Sequence, residues 1–193
     1  MINKREIEHH VKCLIGLISS PRKMWREIFS EAYNLNEFYR NFTLPLALFT
    51  ACLTFLICTI QHSVWYGVRY ALCDLTAVVV TIYLSHFAIR EFLTGKTSNA
   101  QQISLSISAY CSVLFVFFNS LSLAVSNNFT AQLLSLVSLI FLRSLYVGIQ
   151  EIEELQDGKK INLMIIGSSL IICIPIIIRK LCMIILHVPA FNI

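Results

Sequence analysis

The amino-acid sequence predicts an all-α, polytopic membrane protein, in which five transmembrane helices follow short amphipathic helices at the membrane surface. Of the 193 residues, 56% are hydrophobic and 13% are charged, whereas soluble domains carry about 25% charged residues. Five apolar stretches are each about long enough to cross a bilayer. The basic residues collect at the ends of these stretches and do not form one soluble face.

The five predicted transmembrane helices cover residues 43–62, 71–90, 103–125, 129–150 and 161–178. Lipid offers the backbone no hydrogen bonds, and the alternation typical of barrel strands is absent from these stretches, so helices are the secondary structure that fits. We therefore divide the chain into a basic amphipathic segment (1–42), a five-helix transmembrane domain (43–187) and a short tail (188–193).

The distribution of Lys and Arg predicts the orientation in the membrane. With the amino terminus in the cytoplasm, eleven basic residues lie on the cytoplasmic side and three, Arg69, Arg179 and Lys180, lie outside, while Arg143 falls within a helix. This excess places the amino terminus inside and the carboxyl terminus outside.

The apolar character resumes after Arg179 and Lys180, which leaves two interpretations of the fifth helix open. Either residues 181–193 lie along the outer surface, or the helix continues past a kink at Pro175 while both cations extend to the headgroups. Asp74, near the outer end of the second helix, is expected to form an exposed pair with Arg69.

The segment "LISSPRKMWREIF" at residues 17–29 predicts a helix at the membrane surface. Pro21 suits the first helical position after a Ser20 cap. The predicted interface residues are Arg22, Lys23, Trp25 and Arg26, with the cations at anionic headgroups on the cytoplasmic face and the indole at the interface. The alternative is a small soluble cap packed on the loops.

Four stretches, taken in order, resemble the Yip domain family, the five-helix membrane proteins related to Rab-interacting Golgi proteins. They are "LISSPRKMWREI", "FTLPLALFTACLTFL", "TGKTSNAQQISLSISAYCSVLFVF" and "RSLYVGIQEI". The similarity covers roughly residues 17–187 and is greatest to the small bacterial branch. The resemblance implies five transmembrane helices, a cytoplasmic amino terminus and no catalytic chemistry.

The same resemblance implies a location in the bacterial inner membrane, with a eukaryotic Golgi or ER membrane as the alternative. The front segment is short and basic, and the Asp-Leu-Tyr-Gly-Pro motif of the eukaryotic members is missing from this sequence. Rab-type GTPase binding is therefore not carried over. The expected partners are anionic lipid headgroups, other membrane proteins or a second copy of the chain.

Small residues at four-residue spacing predict close helix packing, which drives association where lipid removes the hydrophobic incentive. The predicted packing residues are Ala47, Ala51, Ser104, Ser108, Ser112, Ser144 and Gly148. The alternative is that the serines of the third helix line a polar path for a solute, as in a small transporter or channel subunit.

Arg143 lies within the fourth predicted helix, where a cation is costly unless it pairs, meets water or extends to the interface. We expect it to extend to the inner interface or to form a structural pair. The alternative is a functional intramembrane cluster of His86, Arg90, Arg143 and Tyr146.

The sequence favours a non-enzymatic protein without cofactors. The seven Cys form no CxxC pair, and His9, His10 and Cys13 fall short of the four ligands of structural zinc. No grouping indicates catalytic residues, and a net charge of +4 is small for a nucleic-acid binder. We expect a role in membrane organisation or in scaffolding of partner proteins.

Overall fold

The computed structural model describes residues 4–31, 35–61, 63–124 and 128–187. It is 89% helical, and the described residues contain no strand. The α-helices are α1 (Lys4–Ser19), α2 (Pro21–Ser30), α3 (Leu35–Phe38), α4 (Leu44–Gln61), α5 (Val64–Leu93), α6 (Ala100–Ala124), α7 (Asn128–Ser138), α8 (Ile140–Gln150) and α9 (Asp157–Ile185). A π-helical segment, Tyr39–Thr43, joins α3 to α4.

Five helical stretches of the described chain are long and apolar enough to cross a membrane, which confirms the predicted fold class. They are Tyr39–Gln61, Val64–Leu93, Ala100–Ser122, Phe129–Gln150 and Asp157–Ile185. The chain is therefore an all-α, multi-pass membrane protein. The predicted tail, residues 188–193, lies outside the described residues.

Several helices extend beyond the predicted spans, because hydropathy identifies only the apolar part of a helix that lies in the hydrocarbon and not its polar ends. α5 begins at Val64, where the Ser63 side chain accepts a hydrogen bond from the backbone N–H of Tyr66. It ends at Leu93, and Gly95 follows with a positive φ of 72°, a conformation that glycine adopts without strain just after a helix.

α9 settles the choice between the two interpretations of the fifth helix. It runs without interruption to Ile185, although Pro175 lies inside it. The helix therefore continues beyond Arg179 and Lys180, as one of the two interpretations proposed. Only Lys180 is exposed, whereas Arg179 is buried.

The fourth span differs from the predicted continuous helix, because Leu139 separates α7 from α8. The backbone N–H of Leu139 bonds to the carbonyl of Leu136, and that of Leu142 bonds to the carbonyl of Leu139. These i→i−3 bonds replace the regular helical pattern over one turn. The break has no Pro or Gly beside it.

α6 forms the centre of the bundle, and 83% of its most apolar 18-residue stretch is buried inside the protein. It packs against α4, α5, α7, α8 and α9, and α5 packs against α4 and α9. The remaining spans are less buried, at 22–50% of the corresponding stretch, and each carries exposed large apolar side chains, as helices that face lipid do. We call α1 and α2 together the cap; they contact α6, α8 and the π-helical segment at one end of this bundle.

Candidate functional site

Trp25 attaches α2 to the transmembrane helices. Its side chain is completely buried, and the indole Nε1–H donates a hydrogen bond of 2.7 Å to the backbone carbonyl of Ser144 in α8. The ring also lies 6.3 Å from the ring of Tyr110 in α6, in a T-shaped arrangement. Ile28 is buried on the same side of α2. The indole thus has both the apolar surroundings and the polar partner that a buried Trp requires.

Gly148 makes room for this indole. A Cβ atom at this position would lie 2.7 Å from Cε2 and 2.9 Å from both Cδ2 and Nε1 of Trp25. These atoms belong to a rigid, buried ring, so a larger residue would force α2 to shift. Ser144 and Gly148, predicted as helix-packing residues, therefore form a notch for a side chain of the cap. We call this contact the Trp25 notch.

Beside its buried face, α2 carries exposed cations. Arg22 Nε lies 3.1 Å from Oε1 of Glu151, and Arg26 Nε lies 2.5 Å from its Oε2. The two arginine side chains remain 72% and 68% exposed. Lys23 is exposed as well, and it pairs with no carboxylate among the described side chains. The exposed Glu27 is the one carboxylate of α2 itself, so the three cations exceed the two carboxylates, Glu27 and Glu151, and this surface keeps a net positive charge.

This arrangement changes the interpretation of the front segment. Trp25 was predicted to lie in the membrane interface, but its ring is inside the protein, because the Trp25 notch satisfies both the apolar ring and the N–H group. Arg22, Lys23 and Arg26 are exposed, as headgroup contact requires. α2 corresponds most closely to the alternative of a packed cap, although it packs on transmembrane helices as well as on loops.

Two side chains of α1 and the residue that follows α2 bring a thiol, an imidazole and a carboxylate close together. Cys13 Sγ lies 3.5 Å from Nε2 of His9, and the same nitrogen lies 3.0 Å from Oε2 of Glu31. A catalytic triad needs the two ring nitrogens to serve different partners, and here one nitrogen faces both. Burial raises the pKa of the Cys13 thiol to about 11, so the nucleophilic thiolate is scarce.

No group of three His, Cys, Asp or Glu side chains is positioned to bind a metal ion within the part of the chain that the structure describes.

Hydrogen bonds to Glu154 join the loop that follows α8 to the loop that precedes α6. Ser98 donates from its hydroxyl and its backbone N–H to the carboxylate of Glu154, at 2.6 and 2.5 Å. These hydrogen bonds lower the pKa of Glu154 because they favour the ionised form.

A buried ion pair joins four helices inside the bundle. Asp74 of α5 is 0% exposed and Arg179 of α9 is 4% exposed, with 2.5 Å between Oδ1 and Nη2. Ser120 donates to the same Oδ1 at 2.7 Å, and the Thr54 hydroxyl lies 3.0 Å from Oδ2. Arg179 Nη1 donates to Oδ1 of Asn119 at 2.8 Å. α4, α5, α6 and α9 therefore share one polar cluster.

The depth of this cluster makes its pairing necessary. Asp74 is about 15 Å along α5 from Val64, and Arg179 is about 9 Å along α9 from Ile185, at 1.5 Å per residue. Charges within a membrane are costly unless they pair. The expected Asp74–Arg69 pair is thus wrong: Asp74 pairs with Arg179, and Arg69 is exposed. Arg179 also does not extend to the headgroups.

The members of the predicted cluster have separate contacts. His86 Nδ1 lies 3.0 Å from the Ser104 hydroxyl between α5 and α6, and Arg90 pairs with Glu91 at 3.1 Å. Arg143 and Tyr146 are exposed on α8. The structure therefore concentrates buried charge around Asp74 and not around Arg143.

The predicted packing residues are all buried, as close helix packing requires. They are Ala47, Ala51, Ser104, Ser108, Ser112, Ser144 and Gly148. Within α6, Ser108 donates its hydroxyl to the carbonyl of Ser104 at 2.6 Å. This bond satisfies the hydroxyl within the helix and leaves the serine compact enough to pack.

No protein-family model, curated protein or solved structure matches this chain in the comparisons with known proteins. The Trp25 notch and the Asp74–Arg179 cluster are the two features of the described residues that bear most directly on function.

Proposed function

We propose that this chain is a non-enzymatic membrane protein of the Yip type, which organises a membrane or scaffolds partner membrane proteins through the exposed side of α2. One observation carries the proposal: α2 is fixed to the bundle by the buried Trp25, while Arg22, Lys23 and Arg26 extend outward. A fixed positive surface favours anionic partners, because the charges need not be ordered on binding.

The Yip assignment is supported by the ordered similarities in sequence, and a cytoplasmic cap is supported by the excess of cations at that end. With this orientation, the exposed side of α2 faces the anionic leaflet and the cytoplasmic domains of other membrane proteins. Rab-type GTPases are not included among the proposed partners.

Photo-crosslinking from a position on α2 tests the proposal. A photoreactive amino acid replaces Lys23 in the full chain, and the matched control carries it in place of Lys180, an exposed cation near the other end of the bundle. After irradiation of native membranes, mass spectrometry separates protein adducts from lipid adducts. We expect discrete adducts from position 23 that diminish in the Arg22→Gln/Arg26→Gln background.

Equal adduct patterns from positions 23 and 180 would contradict the proposal, as would adducts at position 23 that do not depend on the two arginines. In a Trp65→Phe background, the emission maximum of the buried Trp25 reports whether α2 stays docked in each variant. A red shift identifies release of the helix, and such variants are replaced by the single Arg22→Gln change.

A transporter subunit is the second candidate function, and the buried Asp74–Arg179 pair favours it, because ionisable residues inside membranes often mark ion or substrate paths. Solute flux into proteoliposomes is the test. Uptake that is lost in Asp74→Asn, with folding preserved, would support transport. Absence of uptake across a panel of ions and small metabolites would leave the scaffold as the supported function.

A further inference from the structure

A cavity opens between α1, the start of α4 and the middle of α6. Its volume is about 530 Å³, within the range of about 300–1,000 Å³ that small-molecule sites occupy. Fourteen residues line it. His10 and Asn41 are polar, and the other twelve, among them Leu14, Leu46 and Phe117, are apolar. The cavity is therefore shaped for a hydrocarbon group with a polar group at one edge.

The surroundings of the cavity indicate where that hydrocarbon comes from. Val11, Ile15 and Ile18 line the cavity from α1 and are 46%, 62% and 37% exposed. Phe49 lines it from the first span and is 53% exposed. Exposure of these side chains to water is unfavourable, whereas acyl chains of the adjoining leaflet would cover them. One edge of the cavity thus continues into the lipid-facing surface.

A cation lies next to the polar edge of the cavity. Asn41 lines the cavity, and the neighbouring Arg40 is exposed with its Nε donating to Oδ1 of Asn41 at 3.4 Å. No carboxylate of the described side chains pairs with Arg40, including that of Glu37 one turn earlier. Both Arg40 and Asn41 belong to the π-helical segment, and π-helical turns frequently occur at functional sites.

We propose that this cavity binds one acyl chain of an anionic phospholipid from the adjoining leaflet, with the phosphate-bearing headgroup beside Arg40. The acyl chain lies between α1 and the α4–α6 pair, and it stabilises the complex by covering the exposed apolar side chains of α1. The lipid thereby joins the cap to the bundle. The site is independent of the cationic side of α2, so its failure and the failure of the proposed function are distinguishable.

The test uses the purified full chain in nanodiscs that contain phosphatidylglycerol with a diazirine in one acyl chain. Parallel nanodiscs contain phosphatidylcholine with the same chain. Irradiation is followed by proteolysis and mass spectrometry of the labelled peptides. We expect at least tenfold more labelling of the cavity-lining peptides of α1, α4 and α6 than of the exposed apolar surface of α7. We also expect phosphatidylglycerol to label about fivefold more than phosphatidylcholine, since one cation near an anionic headgroup contributes about that factor.

Two pairs of variants test the cavity and the cation separately. Ile15→Trp fills the mouth of the cavity, and Leu136→Trp is its control, because Ile15 and Leu136 are 62% and 64% exposed and Leu136 is on α7. Arg40→Gln removes the cation, and Arg143→Gln removes another exposed cation as the control. Ile15→Trp should reduce labelling of the cavity, and Arg40→Gln should remove the preference for phosphatidylglycerol, while neither control has an effect.

Four outcomes would overturn the proposal. Labelling of the cavity equal to that of α7 would indicate bulk lipid only. Loss of the headgroup preference in Arg143→Gln to the same degree as in Arg40→Gln would indicate a general charge effect. Equal labelling by a diazirine fatty acid would indicate that no phospholipid headgroup is recognised. Crosslinks between two copies through α1, without lipid adducts, would assign the surface to a dimer.

Discussion

Removal of Arg179 should destabilise the protein, although it makes the transmembrane helix more apolar. Hydrophobicity alone predicts the opposite sign, because an Arg in a membrane helix costs roughly 2.5–3.5 kcal/mol on insertion scales. In the structure, however, Arg179→Met leaves the completely buried Asp74 without its counter-charge. Breaking a buried ion pair in this way costs about 3–5 kcal/mol, so the sign of the effect separates the two views.

The matched control is Lys180→Met, which removes an exposed cation at the next position of the same helix. The assay is thermal unfolding of the purified chain in a fixed detergent. A loss of about 3–5 kcal/mol corresponds to a decrease in Tm of roughly 6–20 °C for a chain of this size. Lys180→Met should leave Tm nearly unchanged.

The double variant Asp74→Leu/Arg179→Met completes the cycle. It removes both charges, so the remaining loss comes from Asn119, Ser120 and Thr54, which lose their hydrogen bonds to the pair, at about 1–3 kcal/mol. The two single losses should therefore exceed the double loss, with a coupling of at least about 3 kcal/mol. Additive losses, or an Arg179→Met variant as stable as Lys180→Met, would refute the buried pair.

Three further predictions concern the cap and the loops. Gly148→Ala should displace the docked indole at a cost of about 1–3 kcal/mol, seen as red-shifted Trp emission in a Trp65→Phe background, whereas Gly158→Ala, whose Cβ meets nothing within 4 Å, should not. Cys13 should react slowly with maleimide at pH 8, where a pKa of about 11 leaves about one thiolate in a thousand; rapid labelling would contradict its burial. The lowered pKa of Glu154 means that its contribution to stability is fully present well above its ordinary value of 4.5 and is lost as pH falls through the lowered value, so Glu154→Gln should flatten the acid limb of a stability profile.

The fold class and the number of spans were predictable, because each depends on a local property of the chain. Hydropathy over about 20 residues and the clustering of cations are sufficient to find five spans. The helix ends were less predictable. α5 extends back to Val64 through a stretch that contains Arg69, and this charge keeps the stretch from being recognised as part of a transmembrane span. The break at Leu139 has no signal in its neighbouring residues.

Local sequence patterns do not reveal the Asp74–Arg179 pair, because its members are 105 residues apart. A signal existed in the sequence, since Asp74 is an acid inside an apolar span and Arg179 interrupts another apolar run near the same membrane face. Because charges inside a membrane pair with one another, these two residues are candidates for an ion pair. Trp25 was misplaced for a different reason: its position beside cations is typical of an interfacial Trp, and only the backbone of α8 reveals the notch.

The bundle and the cap are held together by different forces because they meet different solvents. Between helices in lipid the hydrophobic effect gives no incentive to associate, so packing and polar contacts must select the partners; the cluster around Asp74 meets this need by joining four helices. α2 lies at the end of the bundle, where water competes for its surface, and burial of Trp25 and Ile28 is then itself stabilising. Burial of these two side chains holds α2 in place, and the contacts of Arg22 and Arg26 with Glu151 add to it. Lys23 takes no part in either and is available for a partner.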